Sequence, residues 1–141
     1  MVWWWPFGKR KQNQITLTDE QRVSKAKALE GAQNFVEKAI LQLEELKLKN
    51  DKLSLDQRTG LQAIILRHLD NARTKVEEVN EQYLARYLDD ASQTIRFSNS
   101  PGHHILKHQD GIINMAISTI DEDINNLNSI VEKIKARIRE I

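Results

Sequence analysis

Cysteine is missing from this chain, and proline (2) and glycine (5) are scarce among its 141 residues. The first absence excludes disulfides and thiolate metal sites and permits a reducing compartment. The scarcity of the other two leaves long stretches without a helix breaker. The scattered glycines also exclude a glycine-rich phosphate loop. Charge of one sign is lacking too, since 21 Lys and Arg face 20 Asp and Glu. No chain-wide field therefore draws in nucleic acid, and such a case would have to rest on a local patch. No apolar run approaches the roughly 18–20 residues that span a bilayer. The opening residues do not read as a secretory signal either. Their apolar run is only Val2 to Phe7, Pro6 interrupts it, and the positive charges follow it. These absences point to a cytoplasmic protein, of a length that suits one domain with one hydrophobic core.

What is present is a seven-residue apolar repeat. Thr18-Asp19-Glu20-Gln21 is a capping box, and the stripe after it runs Leu29, Ala32, Val36, Ala39, Leu43, Leu46. Ser54-Leu55-Asp56-Gln57 is a second box, followed by Leu61, Ile65, Leu69, Ala72, Val76, Val79 and Tyr83. After Tyr83 the register slips to Leu84, Leu88, Ala91 and Ile95, as an inserted stutter would make it do. Ser98-Asn99-Ser100-Pro101-Gly102 breaks the pattern, with Pro101 suited to a first helical position. The last stripe is Ile113, Ile117, Ile120, Ile124, Leu127, Val131, Ile134, Ile138 and Ile141, and its 3.5-residue period is that of a coiled-coil seam.

The expected fold is all-α: an elongated up-down-up three-helix antiparallel coiled-coil bundle. Its helices cover about 18–50, 54–97 and 101–141, and a non-helical Trp-rich N-terminal tail, residues 1–17, precedes them. The outline is similar to a spectrin-type repeat, without a residue signature of that family. In such a bundle the tail shares one pole with Arg96, Phe97, the Ser98–Gly102 loop, His103 and His104. The chain's last residues lie at the other pole.

The tail holds all three tryptophans, Trp3, Trp4 and Trp5, with Phe7 beside them and Lys9, Arg10 and Lys11 behind. Indole is costly to leave in water and awkward to bury completely, so it favours membrane interfaces, where a basic cluster meets anionic headgroups. The string Trp3-Trp4-Trp5-Pro6-Phe7 resembles the core of tryptophan-rich antimicrobial peptides, which implies insertion at a lipid interface. Pro6 resists helix formation, so a turn or extended wedge is expected. The rings could instead fill a pocket on a partner protein, or fold back on the open end of the bundle.

Other constellations fare less well. His104 and His108 stand at i and i+4 and are a candidate metal pair, but His103 and Asp110 lie on other faces, so no metal site is expected. Residues 121–132 resemble an EF-hand calcium loop at Asp121, Asp123, Asn125, Ser129 and Glu132. Asn126 stands where the loop glycine belongs, however, and the seam runs straight through the window, so a helix is expected there. No nucleophile–base grouping is readable, and His68 reads as a residue flanking its stripe. No enzymatic activity and no cofactor are expected. Lys9 to Lys11 are too short a basic run to make nucleic acid the expected partner.

Phe35, Ile40, Ile105, Ile112 and Ile130 lie outside the main seams and serve either to widen the core or to make an interface. The function expected is a scaffold or adaptor held peripherally at a membrane of anionic lipid by its tail. The alternative is a structural subunit of a large assembly, such as a virion, secretion machine or organelle, whose tail docks in a neighbour's pocket. Long coiled-coil helices commonly oligomerise, so a homo-oligomer is expected in either case.

Overall fold

The computed structural model of the chain describes residues 17–49, 52–98 and 112–141, with the side chains of 97, 98 and 112–119 left aside. Among the described residues there are four α-helices and no strand: α1 (Asp19–Leu48), α2 (Leu55–Glu78), α3 (Gln82–Ser98) and α4 (Ile112–Glu140). Both capping boxes are present. The Thr18 hydroxyl accepts from the Gln21 N–H at 3.1 Å, and the Gln21 side-chain oxygen accepts from the Thr18 N–H at 2.9 Å. Ser54 and Gln57 repeat the exchange at 3.2 and 2.9 Å. Each box satisfies two backbone donors that the first helical turn would otherwise leave unpaired.

The helix expected over 54–97 is two helices. Asn80 has a φ of 61°, in the left-handed region that asparagine enters more readily than most residues. Around it, the Glu81 N–H donates to the Val76 carbonyl at 2.9 Å and the Asn80 N–H to the Glu77 carbonyl at 3.0 Å. That pair of bonds is a Schellman ending, and it stops α2. The chain then reverses. Arg73 Nε lies 2.8 Å from Asp89 Oδ1, and Gln62 Nε2 donates to the Arg96 carbonyl at 3.2 Å, so α3 runs back along α2. The slip between Val79 and Leu84 marks this turn, not a stutter in a continuous helix.

The outcome is a four-helix bundle of alternating direction, packed in the ring order α1–α2–α3–α4. Lys25 Nζ pairs with Glu81 Oε1 at 2.9 Å, and Arg137 Nε donates to the same oxygen at 2.6 Å. One pole therefore holds the start of α1, the Asn80 turn and the end of α4. Lys47 Nζ lies 2.6 Å from Asp121 Oδ1, which places the end of α1 beside α4 toward the other pole.

The core follows the seven-residue repeat. Leu29, Ala32, Val36, Ala39, Leu43 and Leu46 on α1 are fully buried, and Ile65, Leu69, Ala72 and Val76 face them from α2. From α3 come Leu84, Leu88, Ala91 and Ile95, and from α4 Ile120, Leu127, Val131 and Ile134. Leu61, Val79, Ile124, Ile138 and Ile141 are half-buried against this cluster. Each large aliphatic side chain so buried contributes about 1.5–3 kcal/mol. Tyr83, expected in the seam, is 55% exposed, because the turn at Asn80 resets the face that α3 presents. Ile40 and Ile130 are buried and Phe35 half-buried, so these three widen the core. Ile105 lies outside the described residues, as do the side chains of Ile112, Ile113 and Ile117. Residues 121–132 are helical throughout. No helix among the described residues is long and apolar enough to cross a membrane.

Candidate functional site

Trp3, Trp4, Trp5, Phe7, Lys9, Arg10 and Lys11 lie outside the described residues, as do His103, His104 and His108. What the fold supplies is the place from which residues 1–16 lead. Leu17 and Thr18 stand at the pole of Lys25, Glu81 and Arg137. Arg96 is exposed near the end of α3, at the opposite pole, and Phe97 follows it in the same helix. The expectation that the start of helix 1 and Arg96 share a pole is therefore overturned. Two helices from the start of α1 to Arg96, an even number, would put them together. The extra reversal at Asn80 puts them apart, and it brings Ile141 to the pole of Thr18.

That pole is closed by a charge cluster. Glu81 is only 8% exposed, and its carboxylate joins α1 and α4 to the α2–α3 turn. Burial opposes its charge, yet hydrogen bonds from Lys25 and Arg137 prevail and hold Glu81 below the ordinary glutamate range. Reciprocally, the bond to Glu81 raises Arg137, which also donates to Glu140 at 3.1 Å. On the flank of α1 next to this pole, Asp19, Glu20, Val23, Ser24 and Lys27 line a shallow concavity, with Val23 55% exposed.

A second feature starts at the same pole. Tyr83 and Tyr87 on α3 meet edge to face, with ring centroids 5.1 Å apart, and Lys133 Nζ of α4 lies 5.0 Å from the centre of the Tyr87 ring. Gln82, Arg86 and Asp90 complete a groove with the two tyrosines, which are 55% and 40% exposed. Such an aromatic surface with a polar rim suits an aromatic or apolar guest. Sequence reasoning missed it because Tyr83 fitted the core repeat.

Three further placements were not foreseen. Arg58 and Asp123 are each only 2% exposed, and both interact within the protein. Charged residues are expected at the surface, and nothing in the local pattern marks these two as interior. His68, expected at the flank of its stripe, stacks on Phe35 at 6.3 Å between ring centroids. Burial, and then the charges of Lys38 and Arg67, lower its pKa below the ordinary imidazole value. Among the described residues no group of three or more His, Asp or Glu is placed to hold a metal ion.

No protein family, curated protein or solved structure matches the chain.

Proposed function

We propose that the chain is a non-enzymatic helical-bundle scaffold or adaptor, cytoplasmic and held peripherally at a membrane surface by its first 17 residues. The observation that carries this reading is that every tryptophan falls at Trp3–Trp5, directly ahead of Lys9, Arg10 and Lys11. The rings enter the interface, Pro6 keeps the segment from forming a helix, and the basic residues hold anionic headgroups. The bundle supplies a well-packed body behind that attachment. One amphipathic segment of this size binds reversibly, so several copies in a homo-oligomer gain greatly through avidity.

Co-sedimentation with acidic vesicles tests the reading, comparing the full chain with Trp3→Ala/Trp4→Ala/Trp5→Ala. Loss of pelleting in the variant is expected, and equal pelleting rules the membrane out. The second reading is a structural subunit of a large assembly whose tryptophans fill a neighbour's pocket. It is favoured by the exposed Tyr83–Tyr87 pair, a receptor of the kind such a peg needs. Tryptophan fluorescence separates the two, because all three reporters sit in residues 3–5. A blue shift on adding lipid supports the membrane. A blue shift on self-assembly, with none on lipid, supports the peg.

A further inference from the structure

The groove on α3 lies within reach of a guest that the chain itself carries. Gln82, Tyr83, Arg86, Tyr87 and Asp90 line it, and Lys133 of α4, which donates to Ser129 at 3.1 Å, stands over the Tyr87 ring. From Gln82 to Asp90 it runs roughly 12 Å, the length of about three or four extended residues. Two rings that meet edge to face leave aromatic surface open to a third, and Tyr83 and Tyr87 are both exposed. The cations of Arg86 and Lys133 favour the face of an indole, and Asp90 and Gln82 offer oxygens to its N–H.

We infer that Trp3–Trp5 of this chain dock in the Tyr83–Tyr87 groove of the same molecule when no membrane is present. Position selects this occupant. Leu17 and the α2–α3 turn share a pole, fixed by the contact of Lys25 with Glu81 at 2.9 Å. α1 and α3 lie on a diagonal of the ring, so Tyr83 stands roughly 20 Å from Leu17, at about 8–10 Å between neighbouring axes and about 1.5 Å of rise per residue. Trp5 is twelve positions before Leu17 and reaches at most about 43 Å from it. A chain of that length without fixed structure averages roughly 20 Å end to end. A tether that matches its span gives a local concentration on the order of mM, far above that of a second copy in dilute solution. Chemistry selects the same occupant. Residues 99–111 start and end at the other pole and contain no Trp, Tyr or Phe. The concavity at Val23, nearer to Leu17, offers the rings one aliphatic side chain and no aromatic partner. Docking requires no lipid, so it stands whether or not the same rings also enter a membrane.

Tryptophan emission of the full chain in dilute, lipid-free solution tests this, with a peptide of residues 1–17 as the undocked reference. The chain's emission should be blue-shifted from the peptide's and about threefold less quenched by acrylamide, since docked rings are withdrawn from water. Both effects should be independent of chain concentration. Tyr83→Gln/Tyr87→Gln should return them to the peptide's values with the helical circular dichroism retained. Disulfide trapping gives a second measure that alters no ring, because the chain has no cysteine of its own. Gly8→Cys/Gln82→Cys should close about tenfold faster than Gly8→Cys/Lys27→Cys, whose second position lies on the Val23 flank at a comparable span. Emission equal to the peptide's, protection undiminished in the tyrosine variant, or equal rates of closure overturns the proposal. So does protection that appears only as rising concentration produces a dimer, since a second copy would then be the host.

Discussion

Glu81 and Arg137, 56 positions apart in the chain, share a hydrogen bond of 2.6 Å, and Lys25 completes the cluster at 2.9 Å from the same oxygen. This one carboxylate ties three segments together at the pole where the described chain begins and ends. Removing its charge leaves two cations facing each other across a nearly buried site. Glu81→Gln is expected to cost about 2 kcal/mol in denaturant unfolding. Glu140→Gln, which removes only an exposed partner of Arg137, should stay within about 0.5 kcal/mol. Equal effects from the two would show that the cluster does not hold the bundle.

Acid should weaken the fold in two stages. The pKa of His68 is lowered in the folded state, so the contribution of its neutral form is fully present above the ordinary imidazole value of about 6.5. It is lost as pH falls from there through the lowered folded value. The pKa of Glu81 is also lowered, so its contribution is present above the ordinary glutamate range and fades as pH falls through its depressed value. In unfolding midpoints measured against pH, His68→Gln should flatten the first stage and leave the second. Glu81→Gln should do the reverse. A His68→Gln curve parallel to that of the wild type through the imidazole range would contradict this assignment.

The turn between α2 and α3 depends on a left-handed residue without glycine. Asn80→Ala places a less tolerant side chain at a φ of 61° and should destabilise by about 1 kcal/mol. Asn80→Gly adopts the same conformation freely and should be neutral or slightly stabilising. Thermal melting of the pair distinguishes this turn from a continuous helix, in which glycine would be the worse substitution.

Tyr83 and Leu84 are neighbours with opposite fates. Leu84 is fully buried, and Leu84→Ala should cost about 2–4 kcal/mol through lost burial and the cavity left behind. Tyr83→Ala forfeits only an exposed edge-to-face contact with Tyr87 and should cost about 1 kcal/mol or less. Were 54–97 a single helix with Tyr83 in its seam, the larger cost would fall on Tyr83.

Much of this bundle is legible in the residues themselves. Thr18 and Ser54 announce their helices through short-range capping chemistry, and the α1 stripe from Leu29 to Leu46 is buried without exception. The reversal at Asn80 is not legible in the same way. Neither proline nor glycine marks it, and a slip in a 3.5-residue pattern is equally the sign of a stutter or of a turn. The left-handed Asn80 and the long-range pairs, Arg73 with Asp89 and Gln62 with Arg96, decide between them. The role of Glu81 was hidden for the same reason, since its partners lie on helices distant in sequence. As for the candidate site, the composition of residues 3–11 indicates a kind of surface, while the pole they lead from depended on counting helices correctly.

The Asn80 turn also bears on how the molecule assembles. α2 and α3 are joined by three residues, Val79–Glu81, so their hairpin can close early, at small loop entropy. The contact between Glu81 and Arg137 must wait until α4 has come round to α1. Should that cluster form only after the folding barrier is crossed, Glu81→Gln will raise the unfolding rate and leave the folding rate unchanged, which rates measured against denaturant read directly.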